Sequence, residues 1–192
     1  MPSLVRSRVS FRAALHRFRH NRQGSAAVEF SLVALPFFAL LFAIIESAIV
    51  FFASQVLETG IQDAARQIYT HQLQDKGLSP ALAKAAFQKD LCDRVNVLFT
   101  CSDTAPLAVD VQSYPAGTTI TITDPITAGA YNASGLAFNL PPSGAAYTVV
   151  VRGFYQWPLI VTGLGYNIAN INRGSTNSKR LLAATTAFHV EP

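Results

Sequence analysis

Two glutamates in apolar surroundings and a lone pair of cysteines are the residues of this chain whose type and spacing could do something chemical. Glu46 is the one ionisable residue between Phe30 and Ala53, a run otherwise broken only by Ser31, Ser47 and Pro36. Glu29 stands at the start of that run, fifth after Gly24. On a helix, two residues with this separation lie about 25 Å apart along the axis and about 100° apart in direction, so the two carboxylates cannot serve one site. The remaining inventory is thin: the chain has no glycine-rich phosphate loop, no His-x-x-x-His pair and no nucleophile elbow. His71 and His189 are single, and Asp90 and Asp93 beside Cys92 read as a solvated helix face. With two cysteines and distant histidines no zinc set forms. The expectation is a protein that is not an enzyme, with no catalytic residue, no cofactor and no metal.

The element that carries both glutamates is a membrane span. About 20 residues at about 1.5 Å rise cross a hydrocarbon core, and the stretch has a few to spare. A mid-span carboxylate costs about 2.5–3.5 kcal/mol, whereas fifteen Leu, Ile, Val and Phe residues between Phe30 and Ala53 contribute roughly −4.5 to −9 kcal/mol. Insertion wins, and Glu46 is expected to be protonated or hydrogen-bonded to a partner. Ala39, Ala43 and Ser47 recur every four residues, a stripe that would let another helix approach closely.

The formal charge of +4 has to be mapped before it is interpreted. Arg6, Arg8, Arg12, Arg17, Arg19 and Arg22 supply six of the fifteen Lys and Arg, and residues 1–24 hold no acid. Nine bases then face eleven acids in the remainder, which excludes a nucleic-acid surface. Arginines before the span place the N-terminus in the cytoplasm and send the rest across the bilayer. The leader has a secretory n-region's charge, but the apolar run is too long for a signal-peptide core, and Phe52-Ala53-Ser54 is a poor cleavage site. Beyond the membrane Cys92 and Cys101 meet an oxidising compartment, where a disulfide is expected; it would contribute about 2.5–3 kcal/mol.

The junction Arg22-Gln23-Gly24-Ser25-Ala26-Ala27-Val28-Glu29-Phe30 resembles the processing site of type IV prepilins, which a prepilin peptidase cuts after the glycine on the cytoplasmic face. The resemblance implies a scissile Gly24–Ser25 bond and a mature chain in which Ser25 is residue one. Four apart on a helix, Ser25 and Glu29 share a face, and in pilins the new α-amino group and this glutamate pair within or between subunits. Glu29 and Phe30, with Glu46, become the expected assembly residues.

A longer match narrows the family. Ala27-Val28-Glu29-Phe30, Pro36, Glu46 and Ala64-Ala65-Arg66 resemble the TadE-like family of the tight-adherence (Tad/Flp) pilus systems, small bitopic pseudopilins. Where the family often carries a glycine and an arginine shortly after the second glutamate, this chain has Ser47, Ala48, Ile49 and Val50, which argues against a salt bridge at Glu46. The resemblance implies a minor pilin or pseudopilin in the bacterial inner membrane. Its partners would be other pilins of the Tad system, an inner-membrane assembly platform and the lipid bilayer. It would promote pilus assembly and adhesion and could enter the filament. The alternative from the residues alone is an uncleaved single-span protein whose extracytoplasmic domain binds a ligand or envelope partner.

The helical pattern continues past the span, so one helix is expected from about Ser25 to Thr70, loosened at Gly60. Ser79-Pro80 reads as an N-cap followed by proline at the first helical position of a second helix, with Ala83, Ala86, Phe87, Leu91, Val95 and Leu98 as its apolar face. From Pro106 the texture turns to strands, over 107–114, 118–123, 147–156 and 180–190, with 129–138 a loop. Tyr155 and Trp157 read as packing residues. The expected fold is α+β: a long N-terminal transmembrane helix, a second helix and an antiparallel sheet of about four strands. The expected divisions are a basic cytoplasmic leader at 1–24, cleaved; a transmembrane helix at 25–54; a helical extracytoplasmic region with the disulfide at 55–105; and a β-rich head at 106–192.

Overall fold

The computed structural model describes residues 24–191 apart from 103–106, 143, 145 and 165. All but the last residue of the expected leader therefore lies outside the described residues. Helix α1 spans Ser25–Tyr69 and helix α2 spans Pro80–Val95. Strands follow at Ala108–Pro115 (β1), Ile126–Thr127 (β2), Ala130–Tyr131 (β3), Tyr147–Pro158 (β4) and Lys179–Val190 (β5), with a short 3-10 turn at Val161–Leu164. The fold is α+β. Two compact units divide the chain, one ending at Phe42 and the other covering Ala43–Pro192.

The described part of the first unit is the opening half of α1. Its large apolar side chains, among them Val28, Phe30, Leu32, Val33, Leu35 and Phe37, are exposed, and Pro36 falls inside the helix without ending it. A helix with exposed apolar side chains on all sides suits lipid, where proline inside a helix is also more frequent than in water.

In the second unit α1 is one-sided. Val50, Ala53, Leu57, Ile61, Ala64, Ala65 and Ile68 are buried with Ala83, Phe87, Leu91 and Val95 of α2 and with the inner face of a three-stranded sheet. That sheet has the order β1–β4–β5, antiparallel throughout, with Val111 opposite Val151 and Val151 opposite Thr186. Of the face expected on α2 from its 3.6-residue period, Ala83, Phe87, Leu91 and Val95 are core positions, whereas Ala86 and Leu98 are half-buried against that core, Leu98 past the end of the helix. Ser79 caps α2 by accepting from the Leu82 amide. The Cys92–Cys101 disulfide ties the last turns of α2 to the segment leading into β1.

Two glycines set how closely these layers approach. A Cβ on Gly60 would lie 2.5 Å from Val95 Cγ1, and one on Gly153 would lie 2.5 Å from Ile61 Cδ1. The first corrects the expected loosening: α1 runs unbroken through Gly60, which is there because α2 crosses against it. The helix stops at Tyr69 because His71 adopts φ 58°, the left-handed turn that ends helices. The Leu73 amide and the Gln74 side chain then satisfy the carbonyls of Gln67 and Ile68.

Four main strands were expected, and 118–123 is not one. The free side of β1 is occupied instead by 137–139, whose Ala137 carbonyl accepts from the Val111 amide and whose Asn139 amide donates to the Val111 carbonyl. The Thr121 and Thr123 carbonyls of the displaced segment accept from the Tyr114 hydroxyl and from Arg152. Inside the expected loop, β3 forms a small hairpin with β2.

That loop region covers the outer face of the sheet and encloses a buried ion pair. Asp110 and Arg152 face each other across β1 and β4, with Nη2 and Oδ2 2.7 Å apart. Asp110 also accepts from Gln112 and from the Ala137 amide. A buried charge with this many partners is tolerable, and removing one partner strands the other. Asp110→Ala is expected to cost about 3–5 kcal/mol, read as a fall in the thermal midpoint of the detergent-solubilised protein. Gly153→Ala should lower the same midpoint by the equivalent of about 1–3 kcal/mol through overpacking. Gly135→Ala, whose Cβ would meet Thr123 at an ordinary 3.5 Å, should leave it within about 0.5 kcal/mol of the parent.

Candidate functional site

The residues expected to take part in processing and assembly lie in two places, at the start of α1 and at Glu46. At the helix start Gly24 and Ser25 are exposed, and the Ser25 hydroxyl donates to Glu29 Oε1 over 3.1 Å. One helical turn brings these side chains together, as the four-residue spacing requires. Phe30, next along, is exposed. No acidic residue occupies the first turn before Glu29, so this carboxylate is the nearest negative charge to the positive end of the helix dipole.

The second place is Glu46, the first residue of α1 to be buried, at 8% exposure. Its Oε1 accepts from the backbone amides of Ile160 and Val161, the latter over 3.2 Å. These amides open the 3-10 turn that follows β4, and such N–H groups have no partner within the turn itself. Glu46 therefore acts as a capping acceptor for a segment more than a hundred residues away in sequence. Its Oε2 is buried without a hydrogen-bond partner among the described residues. The donors that Glu46 meets are backbone amides of its own chain.

Ser47 strengthens the same junction. Its hydroxyl donates to the Ala43 carbonyl over 2.8 Å and lies 2.9 Å from the Tyr166 hydroxyl. With the serine proton already committed, Tyr166 is the donor in that second bond. The Ser47 end of the small-residue stripe thus meets the protein's own loop. Ala43 is half-buried within the second unit, and Ala39 belongs to the first.

Lengths explain why the loop arrives there. From Glu46 to Tyr69 α1 rises about 35 Å, and twelve-residue strands such as β4 and β5 extend about 40 Å. Tyr69 meets Phe188 edge-on near the start of β4, Ile61 meets Gly153 midway, and Glu46 meets Ile160 just past its end. The central strand spans the length of the helix it covers, so the turn after β4 falls at Glu46.

Elsewhere the singled-out residues are structural. Tyr155 is buried edge-on against Phe99 at 4.8 Å, with Trp157 beside the same ring. Asp90 pairs with Arg94 and Asp93 with Lys89 on the exposed face of α2, and the Asp93 carboxylate raises the Lys89 ammonium above its usual range by hydrogen bond and charge. The Asp110–Arg152 pair was missed by sequence reasoning. The signal was available: each charge sits between core valines or glycine in a strand, in Val-Asp-Val and Val-Arg-Gly.

Glu46→Ala should leave the Ile160 and Val161 amides without their acceptor at a cost of about 1–3 kcal/mol. Accelerated amide hydrogen exchange confined to residues 158–164 is the expected readout. Glu46→Gln, which keeps an acceptor oxygen, should recover most of the protection.

No curated protein and no solved structure matches the chain. Residues 24–66, from the glycine ahead of α1 to the arginine of its last turn, match the family model of the TadE-like proteins.

Proposed function

We propose that the chain is a minor pilin or pseudopilin of a Tad-type pilus, a structural subunit anchored in the inner membrane by the first half of α1. A prepilin peptidase cuts between Gly24 and Ser25 on the cytoplasmic face, and the domain from Ala43 onward lies on the periplasmic side. The observation that carries this reading is the arrangement at the start of α1. An exposed glycine and serine precede Glu29 by one helical turn, at the head of an uncovered apolar helix within the TadE-like match.

Each part has a physical role. Gly24 leaves the scissile backbone unhindered. Cleavage removes the arginines, keeps the span and creates an α-amino group at Ser25. That cation and the Glu29 carboxylate lie on one face, and in a low-dielectric surrounding opposite charges gain most from pairing with each other or with a neighbouring subunit. The exposed apolar surface of the first unit supplies the area for helix-to-helix contact with other pilins. Adhesion follows from assembly of the pilus, with the periplasmic domain as the part displayed.

The first experiment is N-terminal sequencing and intact-mass measurement of protein recovered from membranes of a host with its own prepilin peptidase. The mature chain is expected to begin at Ser25, and Gly24→Leu should retain Met1. A chain beginning at Met1 in both cases would falsify the processing step. Glu29→Ala is expected to leave processing intact while lowering the amount of pilus recovered by shearing.

A further inference from the structure

The end of the second unit that carries Glu46 is built differently from the rest of its surface. Around the helix at this level Ile44, Ile45, Ile49, Phe51 and Phe52 are exposed. Beside them, held by the Glu46 and Ser47 bonds, is the loop that follows β4. Its Ile160 is 90% exposed, although both its own amide and the next are fixed by Glu46. A held backbone thus presents a large apolar side chain outward near exposed apolar side chains of the helix, and exposed apolar surface of this kind marks contact with a membrane or a partner. From Glu46 to Phe52 this surface extends about 9 Å along the helix axis, comparable with the depth to which interfacial apolar segments enter a bilayer.

Cations stand near this end: Lys179 lies opposite Pro158 and Arg180 opposite Trp157 at the end of β4, and Arg173 lies in the loop before β5. Between Pro125 and Val190 the sequence contains Arg152, Arg173, Lys179 and Arg180 and no acid. Arg152 is committed to Asp110. Among the described residues the other three donate to neutral acceptors: Arg173 to the Asn167 carbonyl, Lys179 to Gln156 and Arg180 to the Ile168 carbonyl. Arg180 also lines a cleft of about 360 Å³ with Ser47, Phe51, Tyr166 and Leu182. The cleft thus combines a cation and hydroxyls with apolar walls, the combination that suits a phospholipid headgroup and the start of its acyl chain. Tyr166, an amphipathic aromatic, is the residue type favoured at the membrane surface.

We propose that Ile160, Val161 and Tyr166 after β4, pinned by Glu46 and Ser47, dock the domain onto the bilayer. Ile160 enters the acyl region, while Arg173, Lys179 and Arg180 engage anionic phospholipid headgroups. This rests on the membrane-anchored reading of α1, and the test separates the two. Docking restrains the domain against the membrane before any assembly step, and Glu46 links the helix to that contact.

The test uses the full chain reconstituted in vesicles of phosphatidylcholine with or without phosphatidylglycerol. The chain's two cysteines are joined in the disulfide, so a nitroxide placed on I160C or on L82C is site-specific. Leu82 is an exposed residue of α2 and serves as the reference. At I160C collisions with oxygen should exceed those with a water-soluble nickel chelate, more strongly with phosphatidylglycerol present; at L82C nickel should prevail. The triple variant Arg173→Gln, Lys179→Gln, Arg180→Gln should abolish the phosphatidylglycerol dependence. Nickel-favoured collisions at I160C in protein that floats with the vesicles and resists carbonate extraction would overturn docking and leave the anchor intact. Failure to float would overturn both. Spin–spin broadening at I160C that disappears on dilution with unlabelled protein would assign the surface to a second copy and sink the lipid proposal. So would a phosphatidylglycerol response that survives the triple variant.

Discussion

The burial of one face of α1 under the central strand β4 is the contact on which the rest of the second unit depends. Leu57, Ile61, Ala64 and Ile68 are fully buried, and Gly153 lets Ile61 settle onto the strand where any side chain would hold it off. Because β4 lies between β1 and β5, fixing it fixes the sheet. Gly60 makes the corresponding opening for α2 on another side of the same helix. The two glycines therefore control the spacing of three layers, and the spacing determines where the ends of the strands fall.

Glu46 shows what that geometry achieves. A carboxylate in a strongly apolar stretch costs several kcal/mol unless it finds donors. Here the donors are two amides at the start of a tight turn, which need an acceptor as much as the glutamate needs donors. The amides gain their acceptor and one carboxylate oxygen gains two donors, and the result holds a loop against a helix at one chosen level. The Tyr166–Ser47 bond repeats the device one residue on. The placement of this junction next to exposed apolar side chains of the helix makes it a position where the folded domain and a membrane surface can be coupled.

The outer face of the sheet follows a different logic. Loops cover it with a small apolar cluster in which Ile126, Tyr131, Leu136 and Ile171 meet Phe154 and Leu181, and a buried ion pair sits where those loops meet the strands. Asp110 binds Arg152, Gln112 and the Ala137 amide, and Arg152 reaches the Thr123 carbonyl. The pair thus orders two irregular segments that hydrophobic burial alone would leave loosely specified. Its value lies in position more than in net energy, since a well-packed apolar pair could be as stabilising.

The amino-acid sequence by itself determined the two helices, three of the main strands and the apolar character of the first half of α1. These follow from local quantities: the length of an apolar run, a 3.6-residue period, a Ser-Pro cap and alternating β-branched residues. It also singled out Glu29 and Glu46, because a charge in an apolar run is conspicuous without knowing what it meets. Only the tertiary structure decided that Glu46 caps the turn after β4, that Asp110 faces Arg152, that 137–139 takes the edge expected for 118–123, and that Gly60 marks a close helix crossing. Each of these joins residues far apart in sequence. A pairing of that kind depends on how the layers stack and where strands end, and no local pattern encodes it.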